Sequence, residues 1–124
     1  MIYLDTHAIV WLYAGLIEKF SETTRELINS HEICISPIVR LELQYLHEIQ
    51  RVTDESQVIV ADLSNRIGLL ICDKPLNLIV TRALTISWTR DPFDRLIVAN
   101  AALNDNLLLS KDQCILENYT FSRW

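Results

Sequence analysis

The chain has 124 residues, of which half are apolar and only two are Gly and three are Pro. This length predicts a single domain over residues 1–124, and the composition excludes a disordered polymer, a collagen-like repeat and a disulfide-rich scaffold. The formal net charge of -5 excludes binding to nucleic acid by overall positive charge alone, unless cations supply the missing charge.

The first half of the chain alternates short apolar runs with segments of helical period. The pattern predicts strands at 1–5 and 32–36, a helix at 6–14, a short helix from an N-cap at Ser21 to about Ser30, and a helix from Pro37 to Arg51.

The second half continues the alternation. It predicts a helix opened by Asp54 and Glu55 that runs to about Asn65 and closes near Gly68, a strand at 69–72, helices from Pro75 to Trp88 and from Pro92 to Asn106, a strand at 107–110, and an edge strand within 117–124. This order indicates the α/β class, with a central, mainly parallel sheet of four to five short strands flanked by helices on both faces. Right-handed crossovers are expected.

Neither a membrane span nor a secretory signal is recognisable. No apolar run reaches the length of a span, and the N-terminus lacks a basic region before a long apolar stretch, so a cytoplasmic protein is expected. Cys34, Cys72 and Cys114 are far apart and each lies beside apolar residues, which predicts buried, reduced thiols.

Two aspartates follow predicted strands. Asp5 ends the first strand, and Asp112 comes just after the strand at 107–110. Ligands of parallel sheets bind beyond the carboxyl ends of the strands, so both carboxylates point into one crevice if the two strands are near the centre of the sheet. Helix capping is the alternative for each, because Asp is a favoured N-cap residue.

The segment RDPFDRL at 90–96 begins a helix with two aspartates three residues apart. Asp91 before Pro92 is typical of an N-cap, and an acid at position 94 suits both the capping arrangement and the helix dipole. Asp94 also lies on the apolar face of its helix, with apolar residues three, four and seven positions later. Helix initiation and metal binding are both open for this pair.

Glu42 lies inside a predicted helix and cannot be a cap. Helical spacing places it within an apolar arc that we expect to be buried, formed by Ile38, Val39, Leu41, Tyr45, Leu46 and Ile49. A buried carboxylate is costly unless it is paired, protonated or bound to a cation. A salt bridge to Arg40 or Arg95 and a metal ion are therefore the alternatives.

One divalent cation would account for all these acids together. A ligand set made only of oxygen atoms suits Mg²⁺ or Mn²⁺, whereas zinc favours His or Cys at close spacing. His7, His31 and His47 lack that spacing and are expected in surface or packing roles, with His7 nearest the acids. The chain also lacks GxGxxG, GxxxxGK[ST] and GxSxG, which argues against common nucleotide-binding and serine-hydrolase sites.

Four segments in order resemble a PIN domain, and most closely the VapC-like toxins of bacterial type II toxin–antitoxin modules. They are LDTHAIVW, SPIVRLEL, RDPFDRLIVANA and LLLSKD, which together span nearly the whole chain. The opening LDTH with DPFDRLI carries most of the specificity.

The resemblance implies a metal-dependent endoribonuclease that uses Mg²⁺ or Mn²⁺. Its acidic quartet would be Asp5, Glu42, Asp94 and Asp112, with Asp91 as a possible further ligand and Thr6 and Ser110 as accompanying hydroxyls. Asp5 and Asp94 are expected to coordinate the ion directly, and Glu42 and Asp112 to act through water. A cognate antitoxin protein and a homodimer are the expected partners, and RNA is the expected substrate.

Four basic residues lie within two positions of an acid, namely Arg40, Arg90, Arg95 and Lys111. They are expected either to hold flanking phosphates or to pair with the acids. Trp11, Tyr13, Trp88 and Trp124 are expected in the core or on a dimer or antitoxin surface. The competing functions are a non-catalytic binding module with the same fold and, with a weaker motif match, a phosphoacceptor receiver domain.

Overall fold

The first strand of the chain becomes the middle strand of the sheet. The computed structural model describes residues 1–124, and its strands lie in the order β3-β2-β1-β4-β5, with every neighbouring pair parallel. The strands are β1 (Ile2–Leu4), β2 (Ile33–Ile35), β3 (Leu70–Ile71), β4 (Leu107–Leu109) and β5 (Ser122–Arg123). The predicted α/β class is confirmed, and the sheet is entirely parallel.

Seven helices connect or follow the strands. They are α1 (Thr6–Ala14), α2 (Glu22–Ser30), α3 (Pro37–Glu48), α4 (Ser56–Ile67), α5 (Leu76–Ala83), α6 (Pro92–Ala102) and α7 (Gln113–Asn118), and one 3-10 turn lies at Ile17–Lys19. Several start at N-cap side chains that accept backbone N–H groups, as Ser21 does for α2 and Ser36 before Pro37 does for α3. No helix combines the length and apolar character needed to cross a bilayer.

Burial of the central strands on both sides requires helices on both faces of the sheet. Every residue of β1 and β2 is buried, and the main hydrophobic cluster contains 28 buried residues. The chain moves one way across the sheet from β1 to β3 and then returns to β4 and β5. Right-handed crossovers in opposite directions place the two groups of connecting helices on opposite faces.

Three helices end earlier than the helical period predicts. Helix α3 ends at Glu48 rather than Arg51, because Gln50 adopts a left-handed φ of 63°. Helix α6 ends at Ala102 rather than Asn106, because Asp105 has a left-handed φ of 52° and the chain closes with a bond from Asn106 N to Ala101 O. Asp and Asn tolerate that conformation better than most residues.

Helix α5 ends at Ala83, although the predicted helix ran to Trp88. The backbone tightens into three-residue turns at its end, and Thr85 Oγ1 donates to Arg82 O at 2.7 Å. A hydroxyl bonded to the local backbone competes with helix propagation. Helix α4 closes as predicted at Gly68, which has a left-handed φ of 70°.

Two predictions about burial are corrected. Cys34 and Cys72 are buried free thiols, but Cys114 is exposed in the first turn of α7. The predicted buried arc of α3 is also wrong in part, because Leu41, Tyr45 and Ile49 are exposed while Val39 and Leu43 are buried. Helix α3 packs on α1, α4 and α6, so its buried face is set by three neighbours rather than by one apolar arc.

The four aromatic residues that were expected either in the core or on a partner surface pack against the core. Trp11, Tyr13, Trp88 and Trp124 are all partly buried against the main hydrophobic cluster. The exposed apolar side chains lie elsewhere, several of them on α3 and along α5, where Leu76 is 67% and Leu84, the residue just after the helix, is 72% exposed. These two helices therefore carry part of the exposed apolar surface of the chain.

Candidate active site

A cavity of about 470 Å³ opens at the carboxyl ends of β1 and β4. The two strands are neighbours, with Leu4 opposite Leu109, so the residues that follow them meet at one edge of the sheet. The cavity is lined by five carboxylates, those of Asp5, Glu42, Asp91, Asp94 and Asp112. The fold thus brings together all five acids that the sequence singles out.

Asp5 is both a helix cap and a cavity residue. Its Oδ1 accepts the Ala8 N–H at 2.9 Å, and its Oδ2 accepts the Ser110 hydroxyl at 2.5 Å. The side chain is only 8% exposed. Burial raises the pKa of Asp5, and the two hydrogen bonds oppose that rise because they favour the charged form. Capping and participation in the site are therefore compatible at this residue.

Ser110 connects Asp5 to the fourth acid. Its hydroxyl oxygen accepts a hydrogen bond from the backbone N–H of Asp112 at 3.1 Å, and the same hydroxyl donates a hydrogen bond to Asp5. Asp112 in turn caps α7 by accepting the Ile115 N–H at 3.0 Å, and its side chain is exposed. The chain from Ser110 to Asp112 is thus held against the first strand by hydrogen bonds.

Asp91 and Asp94 divide the two roles that the RDPFDRL segment leaves open. Asp91 caps α6 through its Oδ1, which accepts the N–H groups of Phe93 at 2.8 Å and Asp94 at 3.3 Å, with Pro92 in the first turn. The Asp94 carboxylate is partly buried in the cavity and has no hydrogen bond or ion pair from a side chain or backbone group. Burial and repulsion by Asp91 and Asp112 raise its pKa to about 7.

Glu42 reaches the cavity from the middle of α3. The hydroxyl of Thr6 donates to its Oε1 at 2.5 Å. Burial raises the pKa of Glu42, the Thr6 hydrogen bond lowers it, and the charge of Asp91 raises it further. The salt-bridge alternative is wrong, because the chain contains one ion pair and it joins Arg66 to Asp62.

The four basic candidates do not gather at the acids. Lys111 lines the cavity. Arg40 lies on a separate surface depression between α3 and α4. Arg90 and Arg95 line another depression beside α5, and the Arg95 guanidinium donates to Ala83 O at 3.1 Å. Positive charge at the mouth of the cavity is therefore confined to one side.

Two further lining residues were not assigned to the site from the sequence. His7, which the sequence places nearest the acids, and Trp11 both lie on α1 and both line the cavity. Their rings are 6.1 Å apart, centroid to centroid. The spacing of four residues between His7 and Trp11 predicts that they share one face of α1. Only the tertiary structure identifies that face as a wall of the cavity.

The donor set fits a hard divalent cation. All five acids offer carboxylate oxygen atoms, and no cationic side chain forms an ion pair with any of them. No group of three or more His, Cys, Asp or Glu side chains already stands at the spacing of a complete ligand set. Mg²⁺ does not require one, because it takes one or two carboxylates directly and retains several waters.

Comparisons with known proteins agree on the fold. The PIN domain model matches residues 2–119. The structure is similar to a chain of VapBC2 from Rickettsia felis, solved bound to a DNA fragment from their promoter, with 20% identity, a TM-score of 0.71, and coverage of 99% of this chain and 98% of that one. It is also similar to a chain of a toxin–antitoxin complex from Klebsiella pneumoniae, with 15% identity, a TM-score of 0.68, and coverage of 100% and 97%.

No curated protein sequence matches the chain significantly. At such low identities, likeness to the two solved structures concerns the fold alone. The family match is independent of them and extends over almost the whole sequence, from the first strand to the end of α7. The chain therefore belongs to the PIN domain family.

Proposed function

We propose that the chain is a metal-dependent endoribonuclease and the toxin of a type II toxin–antitoxin pair. One observation carries the catalytic part of the proposal. Five carboxylates line one cavity without a cationic partner, and burial together with repulsion by the neighbouring acids raises the pKa of Asp94. Such an arrangement is costly by itself and becomes favourable when a divalent cation is bound.

Asp5 and Asp94 are our candidates for direct metal ligands. Both carboxylates are at least partly buried. Asp5 is the N-cap of α1, and Asp94 lies in the first turn of α6. Mg²⁺ or Mn²⁺ bound there would neutralise a phosphate oxygen and lower the pKa of a coordinated water. Glu42 and Asp112 would orient the attacking water and accept its proton, with Asp91 as a further possible ligand.

The hydroxyl residues have a positioning role in this scheme. Thr6 occupies one oxygen of Glu42, and Ser110 occupies one oxygen of Asp5. Glu42 keeps Oε2 for a water or a cation. Both oxygen atoms of Asp5 accept a hydrogen bond, from the Ala8 N–H and from Ser110, so a cation would use a remaining lone pair of that carboxylate. The two hydrogen bonds thus restrict how these carboxylates can rotate before a substrate arrives.

The toxin part of the proposal is supported by the two solved structures, both of which belong to toxin–antitoxin complexes by their descriptions. It implies a cognate antitoxin protein and a cytoplasmic location, where cellular RNA is found. A homodimer is also part of the proposal. The exposed apolar side chains of α3 and α5 are the surface we assign to one of these protein partners.

Cleavage of total RNA by the purified chain tests the proposal. We expect new RNA ends with Mg²⁺ or Mn²⁺, none with EDTA, and cleavage at least about 100-fold slower with Asp94→Asn. Asp62→Asn is the matched control, since Asp62 is an acid paired with Arg66 away from the cavity. Cleavage in EDTA, or cleavage by Asp94→Asn at the parental rate, would contradict the proposal.

Complete absence of cleavage in the parent would favour the non-catalytic binding module. Membership of the PIN domain family removes the receiver-domain alternative. Light scattering during size-exclusion chromatography tests the dimer separately, because a monomer would leave the nuclease proposal intact.

A further inference from the structure

One wall of the acid cavity differs in chemistry from the rest. It is formed by His7 and Trp11 on α1 and by Lys111 in the segment after β4. The remaining wall is dominated by carboxylates, which repel a phosphate chain. Because the chain as a whole has a net charge of -5, it repels a polyanion over most of its surface. The wall with Trp11 and Lys111 repels it least.

The Trp11 ring is held in a fixed orientation. Phe20 and Trp124 contact it in edge-to-face geometry, with centroid distances of 6.3 and 5.6 Å and interplanar angles of 87° and 69°. Trp124 is itself anchored, because its indole N–H donates to Lys19 O at 3.1 Å. The ring is therefore pre-oriented before any ligand binds, which limits the entropy lost on binding.

Two exposed lysine ammonium groups lie near the Trp11 ring. Lys19 Nζ is 5.3 Å and Lys111 Nζ is 5.9 Å from the ring centroid, and both lysine side chains are exposed. An exposed ammonium group makes a weak cation–π contact that a better stacking partner can displace. Displacement by a base would leave both ammonium groups free to bind phosphates of the same strand.

We propose that Trp11 is a stacking platform for one nucleobase of single-stranded RNA adjacent to the scissile phosphate, with Lys19 and Lys111 on neighbouring phosphates. Sites for single strands combine cationic side chains along the backbone with aromatic rings under the bases. The inference rests on the proposed ribonuclease function and adds to it a residue that positions one base and the wall of the cavity along which the strand lies.

Kinetics on a short RNA test the platform. A 12-nucleotide strand is copied from a cut site mapped in total RNA, and each nucleotide in turn is made abasic. We expect one abasic position next to the cut to raise the KM of the parent roughly 5- to 100-fold with little change in kcat, as the loss of one stacked base predicts. Trp11→Leu should raise the KM of the intact strand by a similar factor.

The two changes should not multiply, because both remove the same contact. Trp88→Leu is the control, since Trp88 is also partly buried against the core but does not line the cavity. Its KM should stay near that of the parent. A folded Trp11→Leu protein with parental KM, or an abasic penalty that multiplies with the substitution, would overturn the platform.

A binding measurement covers the case in which Trp11→Leu fails to fold. The three indole N–H resonances of the parent are assigned with single Trp→Phe variants and followed while oligoadenylate or ribose 5-phosphate is added. We expect the Trp11 resonance to shift with oligoadenylate and not with ribose 5-phosphate. If the parent cuts no RNA, the nuclease proposal fails, and this titration alone decides whether the base subsite exists.

Discussion

The Ser110 hydroxyl donates a hydrogen bond of 2.5 Å to Asp5 Oδ2, across 105 positions of sequence. Parallel pairing of β1 and β4 places the two residues side by side at the carboxyl ends of these strands, where the Asp5 N–H also donates to Leu109 O. A buried carboxylate thus depends on a hydroxyl supplied by the other end of the chain.

Ser110→Ala should therefore destabilise the fold. The substitution leaves a buried carboxyl group one hydrogen bond short, which typically costs about 1–3 kcal/mol. Urea unfolding at neutral pH in EDTA measures the loss. Ser30→Ala, which removes an exposed hydroxyl bonded to Glu26 O, should stay within about 0.5 kcal/mol of the parent. Equal effects of the two substitutions would show that the Ser110 bond is energetically unimportant.

Asp94→Asn should separate activity from stability. Asn keeps the size of the side chain but removes a charge that burial and the surrounding acids disfavour. We expect RNA cleavage to fall about 100-fold or more, because metal-assisted charge stabilisation is worth several kcal/mol. The melting temperature of the metal-free protein should rise at pH 8. A variant that melts lower than the parent in EDTA would refute the repulsion argument.

The metal-free protein should lose stability as the pH rises. Because the folded-state pKa of Asp94 is about 7 against an ordinary 3.8, the folded state holds a proton that the unfolded state has released. The associated stability is complete below about pH 4 and is lost as the pH passes through about 7.

Asp5 and Glu42 act in the same direction, since their pKa values are also raised. Urea unfolding in EDTA at pH 5.5 and pH 8 measures the difference, and Asp94→Asn should reduce it. Higher stability of the parent at pH 8 would have the wrong sign for this explanation.

Mg²⁺ or Mn²⁺ should raise the melting temperature of the parent. Ligand binding to the folded state stabilises it by about 1.4 kcal/mol for each tenfold increase in metal above Kd. Thermal melts over a series of metal concentrations measure the effect. Asp94→Asn should lose most of the shift, while Asp62→Asn should keep it. The absence of a shift in the parent at millimolar metal would support a non-catalytic module.

Asp91 substitutions distinguish the cap from a metal ligand. Ser can replace the carboxylate as acceptor for the Phe93 and Asp94 N–H groups, so Asp91→Ser should stay within a few tenths of a kcal/mol of the parent. Asp91→Ala should cost about 0.5–2 kcal/mol.

Since one Asp91 oxygen is used in the cap and the residue is exposed, we expect both variants to retain metal-dependent cleavage. Loss of cleavage in the stable Ser variant, measured on the same RNA, would instead identify Asp91 as an essential ligand.

The predicted strands and helix starts depended on local features of the chain. The apolar run at the N-terminus predicted the buried β1, and Asp91 with Pro92 predicted the first turn of α6. Helix ends were less predictable, because left-handed closures at Gln50 and Asp105 compete with a helical pattern that continues past them.

The site depended on contacts between distant segments. Glu42 was expected on a wholly buried face, yet its neighbours Leu41 and Tyr45 are exposed and Thr6 supplies its hydrogen bond. Arg40 and Arg95 are close to the acids in sequence but lie in other surface depressions, whereas Trp11 lines the cavity.

The amino-acid sequence by itself determined the short strands, the helix caps and the identity of the acids, because these follow from interactions within a few residues. Tertiary structure alone decided which side chains share the cavity, including those of its aromatic wall. That decision follows from strand order, which places β1 next to β4 and thereby joins groups that are more than 100 residues apart.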